Sequence, residues 1–179
     1  MLEDKRIKEA ESNVKIYLAD SMLKKELNET AKKMFFENSH NSLETAKKLF
    51  SLETNEYKPH LWVLVTSYYS MFYMANAVLL QLGYKVGDKI PHKVTSDAIL
   101  VFVRNKLKKE LLEGYEKTKE DALELISYKV DTLMQSFDWE REKRSQFQYR
   151  MDEQIKKEKS ITSLNRAKEF LFEMSKLIK

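Results

Sequence analysis

Arg144 stands out because its position and its chemistry disagree. At ~100° per residue, Ile126, Val130, Leu133 and Phe137 fall on one narrow helical stripe, which Met151 and Ile155 rejoin. Arg144 lies on the path between them. A guanidinium where the pattern calls for a core side chain needs an acid, an interface or a ligand. It can snorkel to water or pair with a nearby acid such as Glu140. If the partner is a ligand, its planar, permanently charged donor fork suits phosphate.

Other reactive side chains are sparse. His40, His60 and His92 show no metal-ligand spacing. The absence of Cys excludes disulfides and cysteine-based metal sites. No glycine-rich phosphate loop, nucleophile elbow or paired-carboxylate signature is present, and no cofactor is expected. His92 follows Pro91 where a loop enters a helix, a position suited to capping or to contact with an anion; capping is the expectation. Tyr68, Tyr69, Phe72 and Tyr73 recur at helical spacing and read as core, although hydroxyls reaching the surface would suit a nucleotide cleft. The clusters Arg104-Asn-Lys106-Leu-Lys108-Lys109 and Lys156-Lys157-Glu-Lys159 are further places where phosphates could be met.

The elements that must position these groups read as helices. From Pro59 to Tyr84 no side chain carries a charge, whereas 34% of the whole chain is Asp, Glu, Lys or Arg. A helix apolar all round is the central rod of a bundle or a membrane span. Thr66, Ser67, Tyr68, Tyr69, Ser70, Tyr73, Asn76 and Gln81 argue against lipid, which cannot satisfy them. Three glycines and two prolines leave little turn chemistry, so no sheet is expected.

Apolar spacing gives about six helices. They cover Leu2 to Leu27, Ala31 to Leu52 (capped by Thr30), Lys58 to Leu82 (stopped by Gly83), and Val94 to Leu112 (ended by Gly114). A fifth starts near Thr118, and the last runs from Ser160 to Ile178. The expected class is an all-α, up-and-down bundle over residues 30–179 preceded by an N-terminal helical extension over 1–29. With 32 basic and 28 acidic residues mostly interleaved, most lysines belong to solvated faces. The N-terminus lacks a signal-peptide segment, and with the missing Cys this gives a cytoplasmic, non-membrane expectation.

Several segments resemble HEPN domains (higher eukaryotes and prokaryotes nucleotide-binding). Ser67-Tyr68-Tyr69-Ser70-Met71-Phe72-Tyr73-Met74-Ala75 is similar to the central-helix signature of small stand-alone members. Ala77, Leu79, Leu80 and Gly83 continue it. Pro91-His92-Lys93-Val94 resembles the Thr-His-x-x-Val element that opens their next helix. Arg144-Ser-Gln-Phe-Gln-Tyr149 resembles the family's Arg, four to six residues, His motif, with Tyr in place of His. Leu164, Ala167, Phe170 and Leu171 resemble the closing helix. The likeness spans about Thr30 to Ile178 and omits the first helix.

The resemblance implies a four- or five-helix bundle that forms homodimers. In catalytic members the Arg and His of two chains meet at a dimer cleft and cleave RNA without metal; many are toxins paired with a minimal nucleotidyltransferase. Carried over, Arg144 and Tyr149 take the catalytic positions, and His92, Tyr69 and Arg141 take substrate-binding ones. Tyr149 departs from the pattern, because a phenol of pKa ~10 is a poor general base near neutrality. On a regular helix Arg144 and Tyr149 also lie ~140° apart, so sharing a site needs a helix distortion or a second chain. The expectation is a protein that binds RNA or nucleotides, a degenerate toxin-type partner of a nucleotidyltransferase. The alternatives are an active metal-independent endoribonuclease using Arg144 and a purely structural helical adaptor.

Overall fold

In a computed structural model the backbone is described for residues 4–136 and 142–178, and side chains for 4–124 and 156–178. The described residues form an all-α bundle with one very small sheet. The order is α1 (Asp4–Ala19), β1 (Leu23–Lys25), α2 (Glu29–Ser51), α3 (His60–Gln81), β2 (Tyr84–Val86), α4 (Pro91–Phe102), α5 (Lys109–Ser136) and α6 (Glu142–Ser175). A single 3-10 turn, Arg104–Lys106, joins α4 to α5.

The charge-free segment is α3, the rod around which α2, α5 and α6 pack. Its length and apolarity would allow a membrane span, but 83% of its most apolar window is buried inside the protein. Val63, Leu64, Tyr68, Met71, Met74, Ala75, Val78 and Leu79 form the centre of the core. Its amide Asn76 is satisfied in place, donating to the Phe72 carbonyl at 2.9 Å and to Thr95 Oγ1 at 3.2 Å. The helix stops as expected: Leu82 closes its last turn, and Gly83 follows at φ +83°, a left-handed conformation glycine adopts without a Cβ clash.

Other boundaries fall elsewhere. α2 is capped by Asn28, whose Oδ1 accepts from the Ala31 N–H at 2.9 Å, so Thr30 lies within its first turn. Asn is as good a cap as the shorter hydroxyl residues. Gly114 does not end a helix but sits inside α5. A Cβ there would meet the flexible aliphatic stem of Arg166 of α6 at 3.4 Å, an ordinary contact. Thr118 and Ser160, expected near helix starts, are buried within α5 and α6. α6 begins far upstream of Ser160, at Glu142.

The expectation of no sheet fails on a small scale. Leu23, Lys24 and Lys25 pair antiparallel with Val86, Lys85 and Tyr84, flanked by bonds from Glu26 N–H to Gly83 O (3.0 Å) and Gly87 N–H to Met22 O (2.8 Å). Lys85 adds an ion pair to Glu26 at 2.7 Å. The first helix therefore ends at Ala19, well short of Leu27, and its continuation is stitched to the α3–α4 connection. Ala10, Val14 and Tyr17 of α1, with Leu23, belong to the same core as α3, and α1 packs on α4.

Candidate functional site

Six of the 22 residues of α3 escape full burial, and four of them, Trp62, Thr66, Tyr69 and Tyr73, share one face. Their spacing of four, three and four residues is that of a helical stripe, running over ~16 Å. Trp62 is the most open, 55% exposed. On one flank Phe35 of α2 meets Tyr73 at 6.0 Å between ring centroids. On the other, His92 of α4 meets Tyr69 edge-on at 5.8 Å and Phe72 at 4.6 Å. Tyr69 and Tyr73 are 5.8 Å apart. The result is a half-buried aromatic strip, without charge on α3 itself, bordered by α2 and α4.

His92 is the second residue of α4. Pro91 starts the helix, its fixed φ and missing N–H suiting the first position, after Ile90 at φ +42°. No side chain caps this end. The expected capping role for His92 does not hold: its Nδ1 lies 2.7 Å from the Tyr68 hydroxyl instead. Burial, then the nearby Lys119 charge, pulls its pKa below the usual histidine value, so it is neutral at pH 7. Burial pushes the Tyr68 pKa far up, which keeps the phenol protonated. Imidazole nitrogen is the stronger acceptor of the two, so Tyr68 donates to Nδ1 and Nε2 carries the proton. His92 thus presents an N–H donor beside the ring of Tyr69. Tyr115, wholly buried behind Tyr68, is likewise held as a phenol by burial.

Behind His92 lies a polar network that sequence reasoning missed. Lys119 donates to Ser96 Oγ at 2.7 Å and lies 3.3 Å from Glu116, which also accepts from Ser96 in a very short contact. Arg6 of α1 reaches Glu116 at 3.5 Å and Asp97 at 2.7 Å. The fully buried Asp97 also accepts from Tyr17 at 2.9 Å and Asn13 at 3.0 Å. Burial works against the Arg6 charge, but Glu116 and Asp97 together more than offset it and raise its pKa. Two acids and two cations balance within this cluster. One signal was available: Asp97 is the single charged residue between Lys93 and Arg104, a place that a carboxylate can occupy only with partners.

Of the sequence-predicted site residues, Tyr69 and His92 come together. Arg144 and Tyr149 both fall on the backbone of α6, with Met151 and Ile155, so the stripe from Ile126 to Phe137 does not place them. Their side chains, and all of Arg141, lie outside the described residues. His60 is buried 3.7 Å from Glu53, and His40 packs edge-on to Phe36 at 4.6 Å. Among the described residues no three potential metal ligands converge. No protein-family model, curated protein or solved structure matches the chain.

Proposed function

We propose that this chain is a HEPN-type protein of the cytoplasm that binds RNA or nucleotides as a homodimer. In this reading the strip of Trp62, Tyr69 and Tyr73 stacks bases, His92 Nε2–H donates to a base edge or phosphate, and Arg144 grips phosphate. The observation that carries it is the edge-on pairing of Tyr69 with His92, 5.8 Å between ring centroids, on the uncharged stripe of α3. Stacking surfaces beside hydrogen-bond donors are how proteins hold single-stranded bases. The positions of the family-like segments add support: one fills the buried rod, one opens α4, and Leu164, Ala167, Phe170 and Leu171 are buried on α6.

Binding without efficient cleavage follows from Tyr149, since a phenol does not take a proton from a ribose hydroxyl near neutrality. A degenerate toxin-type role beside a minimal nucleotidyltransferase fits that chemistry. The test is fluorescence anisotropy with labelled mixed-sequence RNA oligonucleotides and with mononucleotides. Losing one base stack costs ~1–3 kcal/mol, so Tyr69→Ala weakens binding by roughly 5- to 150-fold. Arg144→Ala weakens it for every sequence, with a smaller salt slope. RNA cleavage by wild type that Arg144→Ala abolishes would favour the endoribonuclease instead. No binding at all would leave the helical adaptor.

A further inference from the structure

The run Arg104-Asn105-Lys106-Leu107-Lys108-Lys109 carries four cations and no acid, and the fold bends it over an apolar cavity. α4 ends at Phe102, the 3-10 turn follows, and α5 starts at Lys109, so the run closes around the C-terminal end of α4. The cleft measures about 180 Å3. Leu100 of α4 and Leu112 of α5, both almost fully buried, form its floor, with Ile7 of α1 and Leu107 at the sides. The more exposed Arg104, Asn105 and Lys109 complete the lining.

The lining selects a ligand. Bare phosphate gains nothing from leucine walls, and a plain hydrocarbon makes no use of two cations and an amide. The present partners of those cations are surface acids, Glu11 at 3.3 Å from Arg104 and Glu113 at 3.7 Å from Lys109. Pairs between partly exposed side chains are weak, so a ligand carboxylate can displace them. At ~30 Å3 per water-sized group, the cavity holds a chain of roughly six methylenes.

We propose that this cleft binds a small amphiphilic carboxylate, its chain against Leu100, Leu107 and Leu112 and its head between Arg104 and Lys109. Arg104 supplies the planar fork that holds a carboxylate through two parallel bonds. The cleft lies at the far end of α4 from His92, ~16 Å along the helix axis, so the proposal stands apart from nucleic-acid binding.

The experiment is calorimetric titration of the full chain with straight-chain carboxylates from butanoate to decanoate and with the matching primary alcohols. Each added methylene tightens saturable one-site binding about fourfold until the chain reaches six to eight carbons, and then the gain stops. The alcohols bind about two- to fivefold more weakly, having lost an ion pair to partly exposed cations. The double substitution Arg104→Gln, Lys109→Gln removes the preference for acid over alcohol without disturbing the core. Leu107→Trp fills the cleft and blocks both series, with circular dichroism to check folding. The proposal is overturned by no saturable binding, by equal binding of acids and alcohols, or by gains that continue undiminished from octanoate to decanoate. Binding to anionic vesicles alone, or an RNA defect in the double variant with no carboxylate binding in wild type, overturns it as well.

Discussion

Asp97→Asn tests the claim that a single buried carboxylate fastens α1 to the bundle. Asp97 is wholly inaccessible to water, and three side chains of α1 converge on it: Arg6 at 2.7 Å, Tyr17 at 2.9 Å and Asn13 at 3.0 Å. The substitution keeps the shape, removes the charge and turns one acceptor oxygen into an NH2 donor. That donor must face either the Arg6 guanidinium or the side facing Tyr17 and Asn13, and either choice opposes groups that donate now. Removing one partner of a buried ion pair costs ~3–5 kcal/mol. The cost here is lower, because the Arg6 side chain is 26% exposed and keeps Glu116 at 3.5 Å, and the Tyr17 hydroxyl can turn to accept. A loss of about 2–4 kcal/mol remains, a Tm decrease of roughly 4–16 °C at 2–4 °C per kcal/mol for a chain of this size. Urea denaturation followed by circular dichroism measures it, with Arg6→Gln and the double variant completing a cycle whose coupling should reach ~1–3 kcal/mol. A variant within ~0.5 kcal/mol of wild type, the usual range for surface changes, would refute the account of the clamp.

Gly114→Ala should stabilise the protein by up to ~1 kcal/mol, the helix-propensity gain, since the new methyl meets only the flexible Arg166 stem at 3.4 Å; a lower urea midpoint would contradict this packing. Gly83→Ala should destabilise by about 1–2 kcal/mol in the same assay, because φ of +83° puts a Cβ in a strained left-handed conformation. His92 gives a pH dependence with a definite sign. Its folded pKa is depressed by burial and by Lys119, so below the unfolded value of ~6.5 the unfolded chain takes up a proton before the folded one does. Stability therefore falls as pH drops from ~6.5 towards the folded pKa, and levels off once both states are protonated. Histidine NMR titration locates the folded pKa, and His92→Gln should remove that part of the slope.

What the sequence made legible follows from how long each signal runs. The charge-free segment spans a whole helix, and α3 lies where it predicts. Ala10, Val14 and Tyr17, at four- and three-residue spacing, are the buried residues of α1. The strands escaped notice because three residues are too short for alternation to register, and because Gly83, which precedes β2, already read as a helix stop. Gly114 misled for a related reason: a glycine inside a helix and one beyond its end look alike in the sequence. The polar network was hidden because its members come from three helices distant in sequence, and only Asp97 breaks a local pattern. Tyr69 and His92 were noted separately, one for its helical spacing and one for its place at a helix start, and only the resemblance put both at a site; nothing in periodicity brings a loop-to-helix histidine to a particular ring of α3.

The absence of charge along α3 has two separate causes. Sixteen of its residues are buried, and there the core dictates apolar or satisfied polar side chains. That argument stops at Trp62, Thr66, Tyr69 and Tyr73, which the bundle leaves partly uncovered. Helix propensity does not explain them, since Lys, Glu and Gln are better helix formers than Trp, Tyr or Thr. Nor does solubility, which large exposed rings reduce and charged side chains promote. Other described helix faces carry Lys and Glu, as in the Lys33–Glu37 and Lys47–Glu44 pairs of α2, with exposed apolar side chains such as Met34 and Phe172 standing singly among them. Rings with polar tips are the side chains that suit a surface dry when occupied and wet when free. What sets the uncharged face of α3 apart is that its uncovered rings form one stripe, which burial in the core does not explain, and that His92 lies beside it.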